Sequence, residues 1–237
     1  MEIHQVAINQ IKAEGERINS FYFPVPDDFH WEEGAHIHVA LEGFNEGDVR
    51  NKELVRHMSI TTLPEEGRLG FTTRLDSSDS VYKRALSRHR VGDPLYLFKS
   101  GSRLTLRREE RPLVVFSMGV AMSAVRPLSL CYAQNRRGIA SLRSITVNSR
   151  QTYPFQEELQ ALDAPGLSLH HLRHRAELAE EIERLDFLNH PLYYVVGSDE
   201  FLRDVITLLR QRGAEDGDII LDMKAEKRSA LYERMGL

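Results

Sequence analysis

The 237-residue sequence contains a single cysteine, Cys131. One thiol cannot form a disulfide within the chain, and it cannot hold an iron–sulfur cluster, which needs about four cysteine thiolates. Chemistry that depends on a cysteine-ligated cluster is therefore excluded. Cys131 follows Leu130 in a segment that suits a helix, so we expect it to be a small core residue.

The sequence also lacks long apolar runs and a dominant charge. No run approaches the roughly twenty apolar residues that span a bilayer. Residues 1–5 do not place a basic region before an apolar core, as a secretory signal does. We therefore expect a cytoplasmic protein with no membrane partner. Lysine and arginine total 31 against 35 acidic residues, so the net charge of -4 gives no support for nucleic-acid binding.

Apolar residues make up 41% of the chain, and the length suits two domains of about one hundred residues each. In the first half, short segments alternate apolar and polar residues with period two and are separated by turn-forming residues. This pattern predicts an antiparallel β-barrel. One helix interrupts the strands, with Ser80 as its N-cap. The predicted strands lie around residues 6–11, 18–23, 35–41, 69–71 and 95–97.

The second half changes to short apolar runs separated by segments that suit helices. Apolar strands alternating with helices predict a doubly wound parallel sheet of five strands, covered on both faces. A charged linker at residues 107–112 ends in proline and separates the halves. We predict domains at residues 1–108 and 112–237, the second with a C-terminal tail. The predicted strands are residues 113–116, 145–147, 167–169, 192–196 and 219–221, and the helices are 122–133, 155–162, 176–185 and 201–212.

Arg56, His57, Met58 and Ser59 bring a cation, an imidazole and a hydroxyl to one short segment between apolar runs. The segment resembles the Arg-x-Tyr-Ser flavin-binding motif of the ferredoxin-NADP reductase family. The resemblance implies that Arg56 contacts the flavin pyrophosphate and that Ser59 has a catalytic place beside the reactive edge of the ring. Met58 stands where the family has tyrosine. Its thioether can pack on a flavin, but it offers neither ring stacking nor a phenolic hydroxyl.

Ser80 and Val81 follow residues 76–79 and open the predicted helix. In the resembling family, a serine at this place binds the pyrophosphate at a helix N-terminus. Free N–H groups and the positive end of a helix dipole attract anions, which agrees with that role. An ordinary N-cap is the alternative interpretation of Ser80.

The turn after the first parallel strand contains Gly119 and Ser123. Here the family has a Gly-x-Gly-x-Thr-Pro turn that lets a nicotinamide nucleotide approach the backbone. This chain has Ala121 and Ala124 in place of the second glycine and the proline, and a methyl group at Ala121 narrows the approach. A strand-to-helix connection that binds no ligand is the alternative.

Arg150 and Arg173 follow the second and third parallel strands. Ligands of open parallel sheets bind beyond the carboxyl ends of the strands. The resemblance implies that these guanidinium groups bind the 2′-phosphate of NADPH through charge-assisted hydrogen bonds. Solvated surface arginines are the alternative. Val196, Gly197 and Ser198 resemble the family's Cys-Gly-Pro segment, which lies beside the nicotinamide. The resemblance implies a catalytic role for Gly197.

The tail at residues 224–237 suits a short helix with a thin apolar edge. In the resembling family, this part of the chain returns toward the flavin, and an aromatic residue can cover the ring. Tyr232 is the only aromatic residue of the tail. We therefore predict that Tyr232 contacts the cofactor and that the tail is a mobile lid that keeps water from reduced flavin. A helix packed on the edge of the sheet is the alternative.

Two histidine groups and several basic clusters carry no assigned chemistry. His36 and His38 share one strand face, and His170, His171 and His174 lie close together in sequence. Neither group has nearby cysteine or a recognisable carboxylate spacing, so we predict no metal site. Basic clusters at residues 83–90 and 103–111 suit an acidic electron-carrier protein, although a solvated surface is the alternative.

The resemblance extends along nearly the whole chain and implies a flavin-dependent reductase. Hydride would pass from NADPH to bound FAD, and electrons would pass on to a ferredoxin, a flavodoxin, a partner oxygenase or a small acceptor. Two alternatives remain open. The first, motivated by Ala121 and Ala124, is an FAD-binding electron-transfer or sensory subunit without productive NAD(P)H binding. The second is an interaction module that binds no cofactor.

Overall fold

A computed structural model describes residues 2–75 and 80–235. Residues 76–79, which precede the predicted flavin helix, and residues 236–237 of the tail lie outside the described part. The chain divides into two compact units, Met1–Ser102 and Arg103–Leu237. The segment after the boundary packs with the second unit, because Leu104 and Leu106 are buried in its core. The predicted cofactor roles of the two domains stay predictions.

The first unit is built from antiparallel strands, as predicted. Within residues 2–75 and 80–102, seven strands form two sheets with the orders β1-β7-β4-β5 and β2-β3-β6. The strands are β1 (His4–Ala7), β2 (Gln10–Gly15), β3 (Ile18–Phe23), β4 (Ala35–Ala40), β5 (Val55–Ser59), β6 (Leu69–Arg74) and β7 (Pro94–Ser102), and helix α1 (Val81–Leu86) precedes β7.

The two sheets close into a barrel at both margins. At one margin, Ile60, which follows β5, forms an antiparallel bridge with Phe71 of β6. At the other, β1 and β2 are consecutive in the chain. Ile8 donates its N–H to Asp93 of the β7 side, and Asn9 donates to Tyr22 of β3. The interior is apolar because alternate side chains of every strand point inward. It includes Phe21, Ile37, Val39, Phe71, Leu95 and Leu97, together with Tyr82 and Leu86 of α1.

The second unit has the predicted parallel sheet. Within residues 103–235, five strands pair in the order β10-β9-β8-β11-β12, all parallel. Among the described residues, no helix combines the length and apolar character needed to cross a bilayer. The strands are β8 (Arg111–Met118), β9 (Ile139–Val147), β10 (Leu167–Leu172), β11 (Leu192–Val196) and β12 (Ile219–Leu221), and the helices are α2 (Met122–Gln134), α3 (Gln156–Gln160), α4 (Glu177–Glu183), α5 (Asp199–Gln211) and α6 (Ala225–Arg234).

The apolar runs of the parallel strands bury side chains on both faces of the sheet. In β8, Val114 and Phe116 belong to the core under α4 and α5, whereas Leu113 and Val115 belong to the core under α2 and α3. A strand buried on both faces needs apolar residues at consecutive positions, which explains the uninterrupted runs.

The strand order reverses at β8, which has β9 on one side and β11 on the other. The chain leaves β8 toward α2 and returns later to place β11 on the opposite side. Such a reversal opens a crevice outside the carboxyl ends of the two strands, where open α/β sheets bind ligands. The ends of β8 and β11 are adjacent, because Val196 pairs with Ser117.

Candidate functional site

Arg56 of β5 and Ser80 before α1 meet in the first unit. The Arg56 Nη2 atom donates to Ser80 Oγ over 3.3 Å, although 24 residues separate them. The guanidinium carbon lies 5.4 Å from the ring centroid of Tyr82, which is fully buried. A cation over an aromatic face is attracted by the ring quadrupole, so Tyr82 fixes where the guanidinium sits.

The charge of Arg56 stays available to an anion. Burial raises the pKa of the Tyr82 hydroxyl, and the nearby Arg56 cation only opposes that rise, so the phenol is neutral. The other acceptors of Arg56 are the carbonyls of Lys52, Glu53 and Val55, which carry no net charge. Among the described residues, no carboxylate pairs with Arg56. A phosphate group would supply the missing negative charge.

Ser80 is the N-cap of α1 in the structure. Its hydroxyl accepts from the Lys83 N–H at 3.3 Å and from Arg56. A serine hydroxyl has two acceptor sites and one donor, so both acceptor sites are used and the proton can be donated to an anion. The N-cap geometry was the alternative interpretation of Ser80, and it is compatible with anion binding. Val81, the next residue, is 36% exposed.

Strand alternation divides the four-residue motif between the two faces of β5. Met58 is opposite Ile37 and packs against the barrel core, on the same face as Arg56. His57 and Ser59 leave the strand on the other face. The β4 strand covers one edge of β5, and within residues 2–75 and 80–102 the other edge pairs with β6 only at the bridge beyond Ser59. A ligand at that open edge can contact residues from both faces.

The β4–β5 register also brings together histidines that the sequence analysis treated separately. His36 is opposite Ser59, and His38 is opposite His57. The ring centroids of His36 and His57 are 4.2 Å apart. If residues 57–59 form a strand, the sequence alone indicates that the side chains of His57 and Ser59 lie on the same face. It does not indicate which strand pairs with them.

The predicted nucleotide residues of the second unit gather at the carboxyl edge of the sheet. Gly119 follows β8, Arg150 follows β9, Arg173 follows β10 and Gly197 follows β11. The strand ends are level, because Met118 and Leu172 both pair with Val147. The structure therefore places these four residues on one edge, as the topology of the prediction requires.

Glycine is favoured at positions 119 and 197 of this edge for two different physical reasons. Gly119 has φ +60°, a backbone conformation that residues other than glycine rarely adopt, and a Cβ there would meet nothing within 4 Å. It opens a turn of 3₁₀ helix, Gly119–Ala121, that leads into α2 without a side-chain cap. In contrast, a Cβ on Gly197 would lie 2.5 Å from Phe201 Cδ1. Gly197 is therefore required by packing inside its own unit, whatever its role toward a ligand.

Ser123, the predicted hydroxyl of the nucleotide turn, is 6% exposed in the first turn of α2. Its burial restricts the part of a ligand that it could reach. The Met122 N–H at the start of α2 donates to the carbonyls of Gly119 and Val120. The N–H groups without a side-chain cap are therefore those of the 3₁₀ turn that begins at Gly119, where a ligand or water can accept from them. The cofactor roles of Gly119 and Ser123 stay predictions.

The arginines beyond β9 and β10 differ in how they are held. Arg150 and Arg173 are exposed. The Arg150 N–H donates to Asn148 Oδ1 over 3.1 Å, so an Asx turn shapes the loop. Arg175, two residues beyond Arg173, pairs with Glu200 at 2.9 Å and Asp204 at 3.2 Å. These partners, Glu200 first, raise the pKa of Arg175. Arg175 is thus occupied by α5, unlike Arg173.

Tyr153 and His171 join the two arginine loops. Their rings stack at 4.1 Å and 10°, and the Tyr153 hydroxyl donates to the Leu172 carbonyl over 3.0 Å. Burial lowers the pKa of His171, and the neighbouring His170 adds to the effect, so the stacked imidazole stays neutral near neutral pH. The contact fixes the β9 and β10 ends relative to each other and so limits the separation of the arginines.

Tyr232 lies on α6 inside the second unit. Its ring centroid is 4.9 Å from the Arg210 guanidinium and 5.3 Å from that of Arg228. Arg210 belongs to the last turn of α5, whereas Gly197 precedes the first. Leu231, next to Tyr232, is 4% exposed in the core under α5. These contacts give Tyr232 a packing role, and its predicted role as a cofactor lid stays a prediction.

No protein-family model and no curated protein sequence matches the chain. Solved structures do match it. A ferredoxin NADP+ reductase from Neisseria gonorrhoeae, with bound FAD and NADP, has a TM-score of 0.80 at 16% identity, over 94% of this chain and 98% of that chain. The FAD/NAD-binding domain of nitric oxide dioxygenase from Vibrio cholerae has a TM-score of 0.72 at 18% identity, over 92% and 97%. A ferredoxin-NADP+ reductase from Plasmodium falciparum has a TM-score of 0.72 at 11% identity, over 93% and 95%.

The matched structures confirm the resemblance at the level of the fold. This chain has the two-unit architecture of ferredoxin-NADP reductases, with an antiparallel barrel followed by a five-stranded parallel sheet. At these identities, the likeness carries no residue roles across.

Proposed function

We propose that the protein is a flavin-dependent oxidoreductase in which NADPH reduces bound FAD and the electrons pass to a carrier protein or a small acceptor. The observation that carries the proposal is the contact between Arg56 and Ser80, at 3.3 Å in a barrel of the reductase type. It combines a cation that has no carboxylate partner in the described chain with a hydroxyl able to donate. Two phosphate groups in FAD fit this pair.

FAD binding would use the first unit. Arg56 and Ser80 would hold the pyrophosphate, while Ser59 at the open edge of β5 would orient the reactive part of the ring. Bound FAD would supply the hydride-accepting and electron-releasing chemistry. Met58 packs into the barrel core and would support the strand that carries Ser59. The protein's own contribution is therefore anchoring and alignment, with no side-chain nucleophile required.

Nucleotide binding would use the carboxyl edge of the second unit. Arg150 and Arg173 are exposed there and would bind a 2′-phosphate, which favours NADPH over NADH. The Neisseria gonorrhoeae reductase was solved with NADP, which supports this choice of cofactor. The 3₁₀ turn that begins at Gly119, which has no side-chain cap, would receive the rest of the nucleotide.

An acidic electron-carrier protein would dock near α1. Arg84, Arg88 and Arg90 are exposed around the end of this helix, close in sequence to the predicted phosphate site. The basic cluster of the second unit is less suitable. Arg107 donates to the Gly217 carbonyl and Arg108 to that of Asn135, so both side chains are used at the amino edge of the sheet.

A second candidate function is an FAD-binding electron-transfer or sensory subunit without productive NAD(P)H binding. The observation in its favour is the burial of Ser123 at the turn where a nucleotide would need close approach. Both candidates require FAD and differ only in whether the nucleotide reduces it.

The visible spectrum of the purified protein distinguishes the candidates. We expect flavin absorption, or its appearance after FAD addition and gel filtration, and bleaching when NADPH is added without oxygen. A flavin that stays oxidised with both NADPH and NADH would overturn the reductase and support the second candidate. Protein that retains no flavin after reconstitution would overturn both.

A further inference from the structure

Three histidines share the face of β4 and β5 that points away from the barrel core. His36 and His38 are alternate residues of β4, so their side chains leave the sheet on the same face. His57 is opposite His38 in the β4–β5 register and leaves on that face too. The ring centroids of His36 and His57 are 4.2 Å apart, and those of His38 and His57 are 5.5 Å apart.

We propose that His36, His38 and His57 form a binding site for a divalent transition-metal ion of the Zn²⁺, Ni²⁺ and Cu²⁺ class. Imidazole nitrogens suit these ions, and three histidines are a known ligand set for zinc. A ring nitrogen of His36 and one of His57 already lie within 4.8 Å. Two nitrogens that bind one zinc ion at about 2.0–2.1 Å must approach to about 3.4 Å, so a modest rotation closes the pair.

The histidine rings of this cluster differ in burial. His36 is 4% exposed, so neighbouring side chains hold its ring in place. His57 is exposed, so an ion can reach its ring from solvent. A buried ligand that sets the position and an exposed ligand that closes the site are compatible with reversible binding from solvent.

The neighbouring strand β7 supports His38 through an irregularity. The β4–β7 register shifts between His36 and His38, and Lys99 in the shifted stretch has φ +52°. The Lys99 carbonyl lies 3.4 Å from His38 Nδ1. Histidines that bind metals usually hydrogen-bond through their other ring nitrogen to a carbonyl or carboxylate, which fixes the tautomer and leaves Nε2 as ligand.

The surroundings define the class of ion. Ser59 is opposite His36 on the same face and offers a neutral oxygen. Arg50 lies 5.9 Å from the ring centroid of Phe98, which stacks on His38 at 5.5 Å, so a cation stands near one end of the cluster. Hard ions such as Mg²⁺ and Ca²⁺ take oxygen ligands, so imidazole nitrogens do not suit them. Borderline ions that form strong bonds to imidazole fit better.

The other histidine-rich segment provides a contrast. His170 and His171 are consecutive residues of β10, so they point to opposite faces. His170 Nδ1 lies 3.4 Å from Glu181, and His171 stacks on Tyr153. These two rings cannot share an ion. No metal site was predicted from sequence, because neither histidine group has nearby cysteine or a recognisable carboxylate spacing. The β4–β5 pairing adds His57 to His36 and His38.

The test is calorimetric titration of the full chain, without a histidine tag and after chelator treatment, with Zn²⁺ and separately with Ni²⁺. We expect one equivalent to bind the wild type, with or without FAD. His57→Gln should weaken binding by about tenfold or more, because even the loss of a supporting contact costs about 10–100-fold. His170→Gln is the matched control and should bind like the wild type.

Two results would overturn the site. One is a wild type that binds neither ion, and the other is a His57→Gln variant that binds both with unchanged affinity. Thermal unfolding without metal establishes that the variant is folded, and His38→Gln replaces it if it is not. Binding by FAD-free protein keeps this test separate from the proposed oxidoreductase function, because either can fail while the other holds.

Discussion

The two units assemble their candidate ligand residues by different physical means. In the barrel, β5 and the start of α1 bring Arg56 and Ser80 into direct contact, and Tyr82 fixes the guanidinium from below. In the α/β unit, Arg150 and Arg173 share an edge of the sheet because of strand order, and both are exposed. In the first unit the two predicted ligand residues therefore touch each other, whereas in the second they share only an edge of the sheet.

This difference predicts how the sites respond to substitution. A preorganised cation loses most of its binding energy when one side chain is truncated, since its partner group is left unpaired. A site made of exposed arginines shares the ligand charge over several groups and loses less at each. Substitutions at Arg56, Gly197, Arg150 and Ser59 test that contrast, with expected effects that decrease in this order.

Arg56→Ala should weaken FAD binding by about 2 to 4 kcal/mol, because it removes a partly buried cation from the phosphates. Titration of the FAD-free protein, followed by flavin fluorescence, measures the dissociation constant. Arg68→Ala is a matched control, since Arg68 also lies over a tyrosine ring, Tyr22, at 4.1 Å in the same unit. Equal affinity in both variants and the wild type would remove the phosphate role of Arg56.

Gly197→Ala should lower the free energy of unfolding by about 1 to 3 kcal/mol, because the added Cβ overlaps Phe201. Chemical denaturation measures the change. Gly217→Ala is the control, because a Cβ there meets nothing within 4 Å. A Gly197→Ala protein with wild-type stability and slow reduction by NADPH would show that this glycine serves the ligand and not the packing of α5.

Arg150→Ala should reduce kcat/KM with NADPH by about tenfold and leave the value with NADH nearly unchanged, because one charge-assisted contact is lost. Steady-state kinetics with both nucleotides tests this. Arg175→Ala is the control, since Glu200 and Asp204 already occupy that guanidinium. Equal losses with NADPH and NADH in Arg150→Ala would assign Arg150 to the fold.

Ser59→Ala should leave FAD bound and slow its reduction by about fivefold, the effect of one lost hydrogen bond of about 1 kcal/mol. Stopped-flow absorbance under anaerobic conditions measures the rate. Ser87→Ala, which removes a hydroxyl donating to the Arg84 carbonyl, is the control. Wild-type reduction by the Ser59 variant would remove this hydroxyl from the mechanism.

Local pattern predicted most elements of both units, although β5 (Val55–Ser59) was not among the predicted strands. The runs that became β8 and β11 were predicted because consecutive apolar residues suit a strand buried on both faces, and the helix after Ser80 was predicted from its cap. The carboxyl-edge positions of Arg150 and Arg173 also followed from sequence, since a parallel sheet sends every strand end to one edge. The sequence did not show why residue 197 must be glycine, because the contact with Phe201 depends on how α5 packs.

The sequence by itself determined most of the segments that are strands and helices, since side-chain periodicity and capping act over a few neighbouring residues. Only the tertiary structure decided which distant side chains meet. Arg56 reaches Ser80 and His57 reaches His36 through strand pairing and helix placement that no local pattern encodes. Such contacts depend on the register of residues far apart in the chain, and a shift of one residue would turn His57 to the opposite face.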